Sequence, residues 1–529
     1  MSDNEKDYLA QLATHTLDRR AFMIRASALG LGGIAANSLF AKHARAATPK
    51  KGGALKIGLT GGGATDTLDP ALAGSQVPFH LCHMFGEPLV EVSPQGHGIE
   101  PRLATEYSSN PDATVWTFKI RKGVKFHDGS TLQPDDVAAT LRRHIDKNSK
   151  SVAYGILRGI TNVEAKGDDV VITVASPTAD FPYLMTSYNL VIQPKGGVGA
   201  PAAGIGTSAY KLVRGDAGVG YQFAKFDDYW DDSRGHFDTV ELLVINDATA
   251  RSSALRSGQI HMMNAVPPKV AKLLASTNVD VKNVAGRGHY AFSMMCDKAP
   301  FDNNDLRLAL KFATNRREIL EKVIFGYGSI GNDSPINPTY PLYDTSIPQR
   351  EFDLDKARFH YKKSGHDGSP IVLSGADVAF PGAMDAEALF QQTAQAAGIP
   401  LQIHREPNDG YWSDVWLKKP FVATYWNGRA VQDQMYSTAY MVGSDYNETH
   451  FNNPKFDDII KAARGETDEA KRKALYSEAF YLVRDEGGAI VPIFNDFVDG
   501  ISKKIGGWVD DVNFELMNGY AAHKCWFEG

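Results

Sequence analysis

The chain has 529 residues, too long for one hydrophobic core, so it must divide into two or more lobes. A hydrophobic content of 43% and a charged content of 22% are those of a soluble globular protein. The formal net charge of -6 argues against a nucleic-acid binder and suggests no affinity for an anionic membrane.

The first 46 residues read as a targeting segment, to be left out of the fold. Asp18-Arg19-Arg20-Ala21-Phe22-Met23 resembles a twin-arginine export motif, Ala26 to Ala41 is a weakly apolar run, and Ala44-Arg45-Ala46 offers a small-x-small cleavage site. The mature chain is therefore expected to start near Ala47 and to lie in a periplasm, without a lipid anchor, since no lipobox cysteine stands near the cleavage site. No later stretch reaches the roughly 18 apolar residues that a membrane span needs. After a Pro/Lys/Gly linker, Ala54 to Leu59 reads as a short buried strand followed by Gly61-Gly62-Gly63. A phosphate loop would need Lys-Ser/Thr after the glycines, and none follows. His80-Leu81-Cys82-His83 holds potential metal ligands, but helical spacing puts His80 and His83 on one face and turns Cys82 away. A half-buried helix is the simpler reading. Cys82, Cys296 and Cys525 are widely spaced, allow at most one intramolecular disulfide, and lack any zinc-ligand spacing.

The most informative stretch is Trp116 to Val137. Trp116, Phe118 and Ile120 alternate with polar residues as in a half-buried strand; Lys122-Gly123 turns; Val124 and Phe126 repeat the alternation; Asp128-Gly129 turns again. Pro134 then stands at a first helical position, with Asp135 and Asp136 at the positive end of the helix and Val137, Leu141 and Ile145 as its apolar stripe. Gln133 in the cap position weakens the cap. Further on, Arg251 to Ile260 reads as a helix ending at Gly258, Tyr290 to Cys296 as an apolar strand, and Leu306 to Ile319 as a helix. Phe456 to Arg464 and Ala470 to Arg484 are helical, the second with Leu475, Ala479, Leu482 and Val483 on one apolar face. Lys471-Arg472-Lys473 reads as a solvated helix face, and Ile490 to Phe494 as a returning strand.

The Trp116–Val137 block resembles the signature of the family 5 solute-binding proteins, the extracytoplasmic receptors of peptide, opine and nickel ABC importers, and the later motifs follow in that family's order over nearly all of residues 54–529. The resemblance implies an α/β, two-lobed periplasmic binding protein fold (type II, cluster C) with an extra α+β subdomain in lobe one. Lobe one would comprise 47–85, the extra subdomain 86–200, and 201–288; lobe two 289–496; and 497–529 would return to lobe one. It further implies a monomeric, non-enzymatic receptor, without cofactor, that closes on a small-molecule ligand by hinge motion and presents it to permease subunits at the inner membrane.

For the ligand, the dense run Tyr411-Trp412, Tyr425-Trp426-Asn427-Gly428-Arg429 and Asp433 stands out, with Ala64, Thr65 and Phe79 expected on the lobe-one side. A Gly beside an Arg offers close backbone approach and a planar donor fork suited to a carboxylate. In peptide-binding members an Asp that pairs with the ligand's amino group follows the strand's tryptophan. Aligned on Trp426, Arg429 holds that place with reversed sign, and the place of an Arg that binds the ligand carboxylate falls near Asp377. The expectation is a ligand presenting an anionic group to Arg429; a structural Arg429–Asp433 ion pair is the competing reading. An exported metal-binding protein or enzyme folded before twin-arginine export, and a chaperone or sensory binding module, are the alternatives in other functional classes.

Overall fold

The computed structural model describes residues 49–528 except 147 and 409; the export segment predicted for 1–46 lies outside the described residues. Two long strands, Val279–Met294 and Ala489–Ser502, organise the chain. Ala489–Ser502 is apolar on both faces for most of its length and is buried except at Asn495 and Asp496, as expected of a strand covered on both sides. The two pair antiparallel from Val279 opposite Ser502 to Ser293 opposite Ala489. They stand at the centre of an 11-stranded sheet. On one side follow Phe421–Trp426, Ile371–Gly375 and Leu401–Arg405; on the other follow Met262–Met263, Ala54–Leu59, Thr239–Val244, Gly220–Lys225 and Tyr210–Asp216.

Different cores form at the two ends of this pair. One buries Leu55, Ile57, Phe85, Tyr210, Phe223, Met262, Ile501 and Cys525 together. The other buries Phe292, Leu310, Leu373, Phe390, Phe421 and Ile493. Between the two, pairing is interrupted: Ala285 faces Asp496 and His289 faces Phe494, so Gly286-Arg287-Gly288 spans a place where the partner strand supplies Asn495 alone. The four-stranded antiparallel sheet of Ala104–Ser109, Val115–Ile120, Asp169–Val174 and Ile160–Lys166 has its own core around Phe118, Phe126, Val137 and Leu141.

Several sequence expectations change. Val124–Phe126 is not a strand but a loop with one bridge, Lys125 to Thr131, its apolar side chains sunk into that core. The helix Pro134–Ile145 is capped despite Gln133, because the Asp136 carboxylate accepts the Gln133 N–H at 2.8 Å. The helix expected over 306–319 is two, Asn304–Ala313 and Arg316–Lys322, since Asn315 caps a new start by accepting the Glu318 N–H. In Glu469–Glu486 the buried stripe is Tyr476, Ala479, Phe480 and Val483; Leu475 and Leu482 are only half-buried. Arg472 of the same helix does not face solvent. It forms an ion pair with Asp180 of the subdomain, both side chains largely buried, and nearby the Ala179 N–H donates to the Arg464 carbonyl at 2.8 Å. The subdomain thus touches the helices of the far lobe.

The helix Gln76–Phe85 is buried rather than half-buried, with His80 4% and His83 2% exposed. Burial holds the His80 imidazole down to about 3 and that of His83 to about 4. A histidine whose folded pKa lies below its unfolded value, near 6.5, stabilises the fold fully above that value and loses the contribution as pH falls toward the folded one. His80→Gln is therefore expected to flatten the decline of stability between pH 6.5 and 4, by about 3 kcal/mol at the acid end; parallel melts of both proteins across that range measure it.

Candidate functional site

Strand Phe421–Trp426 pairs with Val279–Met294 along its whole length, from His289 opposite Trp426 to Met294 opposite Phe421. Its other edge meets Ile371–Gly375 only at Ser374 opposite Val422. The turn Tyr411–Val415 and Trp416 cover the rest of that edge with rings. Trp412 stands edge-on to Tyr425 (5.3 Å) and to Trp416 (6.0 Å), and Trp416 stacks on Tyr446 (6.0 Å). Tyr425 and Tyr446 remain 44% and 52% exposed. Behind this arc lies a buried carboxylate: Glu448 accepts from the Trp426 indole at 2.9 Å, from the Ser293 hydroxyl at 2.7 Å, and from the Trp416 indole. Burial raises the Glu448 carboxyl, opposed by these donors. It fixes both tryptophans.

Beyond Trp426 the chain turns away through Asn427, Gly428 and Arg429. The Arg429 guanidinium donates to the carbonyls of Asn427 (3.0 Å) and Gly428 (3.2 Å) and forms no ion pair among the described residues. Burial pulls its pKa down, and the phenols of Tyr340, Tyr188 and Tyr446 act in the opposite direction. Tyr188 comes from the other lobe, where it packs against Phe79 at 4.9 Å; Phe79 in turn meets Phe514 at 4.6 Å. The Tyr188 phenol thus acts on Arg429 from the other lobe, where it belongs to an aromatic cluster with Phe79 and Phe514. Beside that cluster, Glu515 accepts from the Asn264 amide at 2.9 Å and from Gln76. Glu515 leads into four consecutive left-handed residues, Leu516 to Gly519, held by Asp499, whose carboxylate accepts the Leu516 N–H at 2.6 Å. Such a run is costly for L-residues and fixes the backbone that carries Phe514 and Glu515.

The predicted residues separate. Phe79, Trp412, Tyr425, Asn427 and Arg429 lie in or around the cleft. Trp426, 8% exposed, acts through its indole bond to Glu448. Tyr411 is a core residue, wholly buried, its hydroxyl donating to the Ala423 carbonyl at 2.7 Å. Asp433 does not reach Arg429; Arg464 holds it at 3.0 Å. Gly428 is needed for a different reason from the one expected: a Cβ there would collide with the Cβ of Arg287 on the hinge strand. Asp377 sits on the surface paired with Arg405. Ala64 and Thr65 are exposed on a loop that leans on Gly218. A surface concavity of about 600 Å³ lies apart from all of these, against Asp69, Arg142 and Arg143. Sequence reasoning missed Tyr188, Tyr340, Tyr446, Glu448 and Glu515, which come from four separate places in the chain. Only a glycine-flanked arginine, Gly286-Arg287-Gly288, carried a local signal.

Two lobes sharing one paired-strand ladder, with an arginine that forms no ion pair among the described residues and a set of exposed rings, fit a substrate-binding protein. The profile described as bacterial extracellular solute-binding proteins, family 5 Middle, matches residues 98–448, and the chain belongs to this family. It is similar to a dipeptide-binding protein of Pseudomonas aeruginosa, with 27% identity over 467 residues, 79% of this chain and 86% of the relative. Among solved structures it is similar to the periplasmic binding protein DppA of Helicobacter pylori in complex with the peptide STSA (TM-score 0.76, 22% identity, 91% of this chain and 99% of that one). It is equally similar to AgaA of A. tumefaciens R10 in complex with agropinic acid (TM-score 0.76, 22% identity, 90% and 99%).

Glu448→Ala would leave two indole N–H groups and a hydroxyl without their acceptor. The expected loss is roughly 3 kcal/mol of stability, with a change in tryptophan fluorescence as Trp416 and Trp426 are released; chemical denaturation followed by fluorescence reads both.

Proposed function

We propose that the protein is the periplasmic substrate-binding component of an ABC importer, exported by the twin-arginine route. As a monomer, it captures a small polar organic solute bearing an anionic group by hinge closure and hands it to membrane permease subunits. The observation that carries this reading is Arg429. Its guanidinium is half-buried and has only backbone carbonyls as hydrogen-bond partners, so a ligand carboxylate can complete it. Its planar fork suits a carboxylate, and the phenols of Tyr188, Tyr340 and Tyr446 around it are further donors. The exposed rings of Trp412, Tyr425 and Tyr446 supply apolar contact for the rest of the ligand. Peptides and an opine are the ligands named for the relatives. The reversed charge at Arg429 favours an anionic amino-acid or opine-type compound over an ordinary peptide N-terminus. Binding and release require no bond to be made or broken, so the reading is that of a receptor and not an enzyme.

Mass spectrometry of the solute that co-purifies is the first test, followed by a thermal-shift screen of a peptide pool against carboxylated opines and sugar acids. A true ligand at a hundred times its Kd raises stability by about 2.7 kcal/mol. Arg429→Met is expected to keep or raise the stability of the unliganded protein and to weaken the anionic ligand by roughly ten- to a hundredfold, the loss of one or more charge-assisted hydrogen bonds. Tight peptide binding that survives the substitution overturns the assignment.

A further inference from the structure

A second guanidinium, this one buried, lies beside the Arg429 turn. Arg287, 2% exposed, stands in the interruption between the two long strands. Its donors reach backbone on both sides of the cleft. Towards the far lobe, Nε and Nη2 donate to the Thr339 carbonyl at 3.1 and 2.8 Å, and Nη1 donates to the carbonyls of Ala430 at 3.1 Å and Arg429 at 3.4 Å. Towards lobe one, Nη1 donates to Asn513 Oδ1 at 3.2 Å and Nη2 to the Gly96 carbonyl. It makes no ion pair among the described residues; Asp511 acts on it from a distance, and burial lowers its pKa. Tyr340 lies under the guanidinium at 5.1 Å and also accepts the Arg429 N–H at 3.1 Å.

The backbone around it is shaped to admit this side chain. A Cβ at Gly96 or Gly428 would collide with Arg287 itself. Within the hinge strand, a Cβ at Gly286 would fall 2.9 Å from the Phe497 ring, and one at Gly288 would fall 2.8 Å from Asn495 Oδ1 on the partner strand. These contacts hold the 428–430 turn, which presents Arg429, against the hinge.

We propose that Arg287 is a positioning residue that couples the Arg429 turn to lobe closure: its fork is satisfied on both sides only when the Gly96 and Asn513 segments of lobe one meet the Thr339 and Ala430 segments of lobe two. Rotation at residues 286–288 separates the two sets of acceptors and leaves part of a buried charge to water. Lysine keeps the charge but concentrates its donors at one point, so it cannot span the same carbonyls. The inference rests on hinge closure and not on the identity of the solute.

Spin labels at Val198→Cys and Phe359→Cys, exposed positions on opposite lobes, with Cys296→Ser to remove the half-buried thiol, report the inter-lobe distance by double electron–electron resonance. The protein is measured as purified, with any solute it carries, alongside its thermal midpoint and circular dichroism. Arg287→Lys is expected to move the open-to-closed ratio toward open by roughly tenfold or more, the effect of losing one charge-assisted hydrogen bond, while secondary structure is retained. Asn513→Ala, which keeps the arginine and removes one lobe-one acceptor, is expected to shift it the same way by less, and decides the matter if Arg287→Lys does not fold. Distance distributions unchanged from the parent, or a parent protein with no short-distance population, overturn the proposal. Neither result depends on whether Arg429 binds an anion.

Discussion

The antiparallel pairing of Val279–Met294 with Ala489–Ser502 is the constraint on which the other features depend. Because one ladder runs through both lobes, they can move relative to each other only where it is interrupted. The interruption is short and glycine-flanked, and it is filled by an arginine. Each lobe is rigid because its core packs on one end of the pair, so the groups that meet across the cleft are carried on two rigid bodies with a defined axis between them.

Charge placement follows the same division. Opposite charges are matched within lobe two, as in Arg464 with Asp433, and where the subdomain meets the far lobe, as in Arg472 with Asp180. At the hinge and in the cleft the guanidiniums of Arg287 and Arg429 are bound by carbonyls alone. Carbonyl dipoles hold a buried cation less firmly than a carboxylate does, so these contacts remain open to competition from water, rearrangement or a ligand. Glu448 serves a further purpose: it holds two indoles at fixed angles, so the aromatic arc keeps its shape when empty.

Most of the architecture could be read from local pattern. Trp116–Ile120 and the helix Ala248–Ser257 closed by Gly258 have signals contained within a few residues. The cleft was legible only in part. Trp426 to Arg429 is contiguous and chemically unusual, so it stood out. Tyr188, Tyr446 and Glu448 are ordinary residues locally and gain their meaning from tertiary proximity. The errors have physical causes of the same kind. Asp433 lies near Arg429 in sequence, but Arg464, 31 residues further on, reaches it first. Gly428 was read as room for a ligand, whereas the room is taken by Arg287. Arg472 looked solvated among lysines until the subdomain supplied Asp180.

The C-terminal segment has a kinetic meaning as well. Lobe one is completed by residues that arrive last: Glu515 accepts from Gln76 across 439 positions, and the Asn513 amide donates to the Ser93 carbonyl across 420. Contacts this distant in sequence are slow to form, because a long loop must close before they contribute. The lobe that begins the described chain therefore cannot finish its core until residues 501–525 have been made. Until then Leu55, Ile57 and Phe85 lack the Ile501, Leu516 and Cys525 side chains that cover them. Until that segment arrives the first lobe is incomplete, and that interval is where chaperone dependence and aggregation would concentrate.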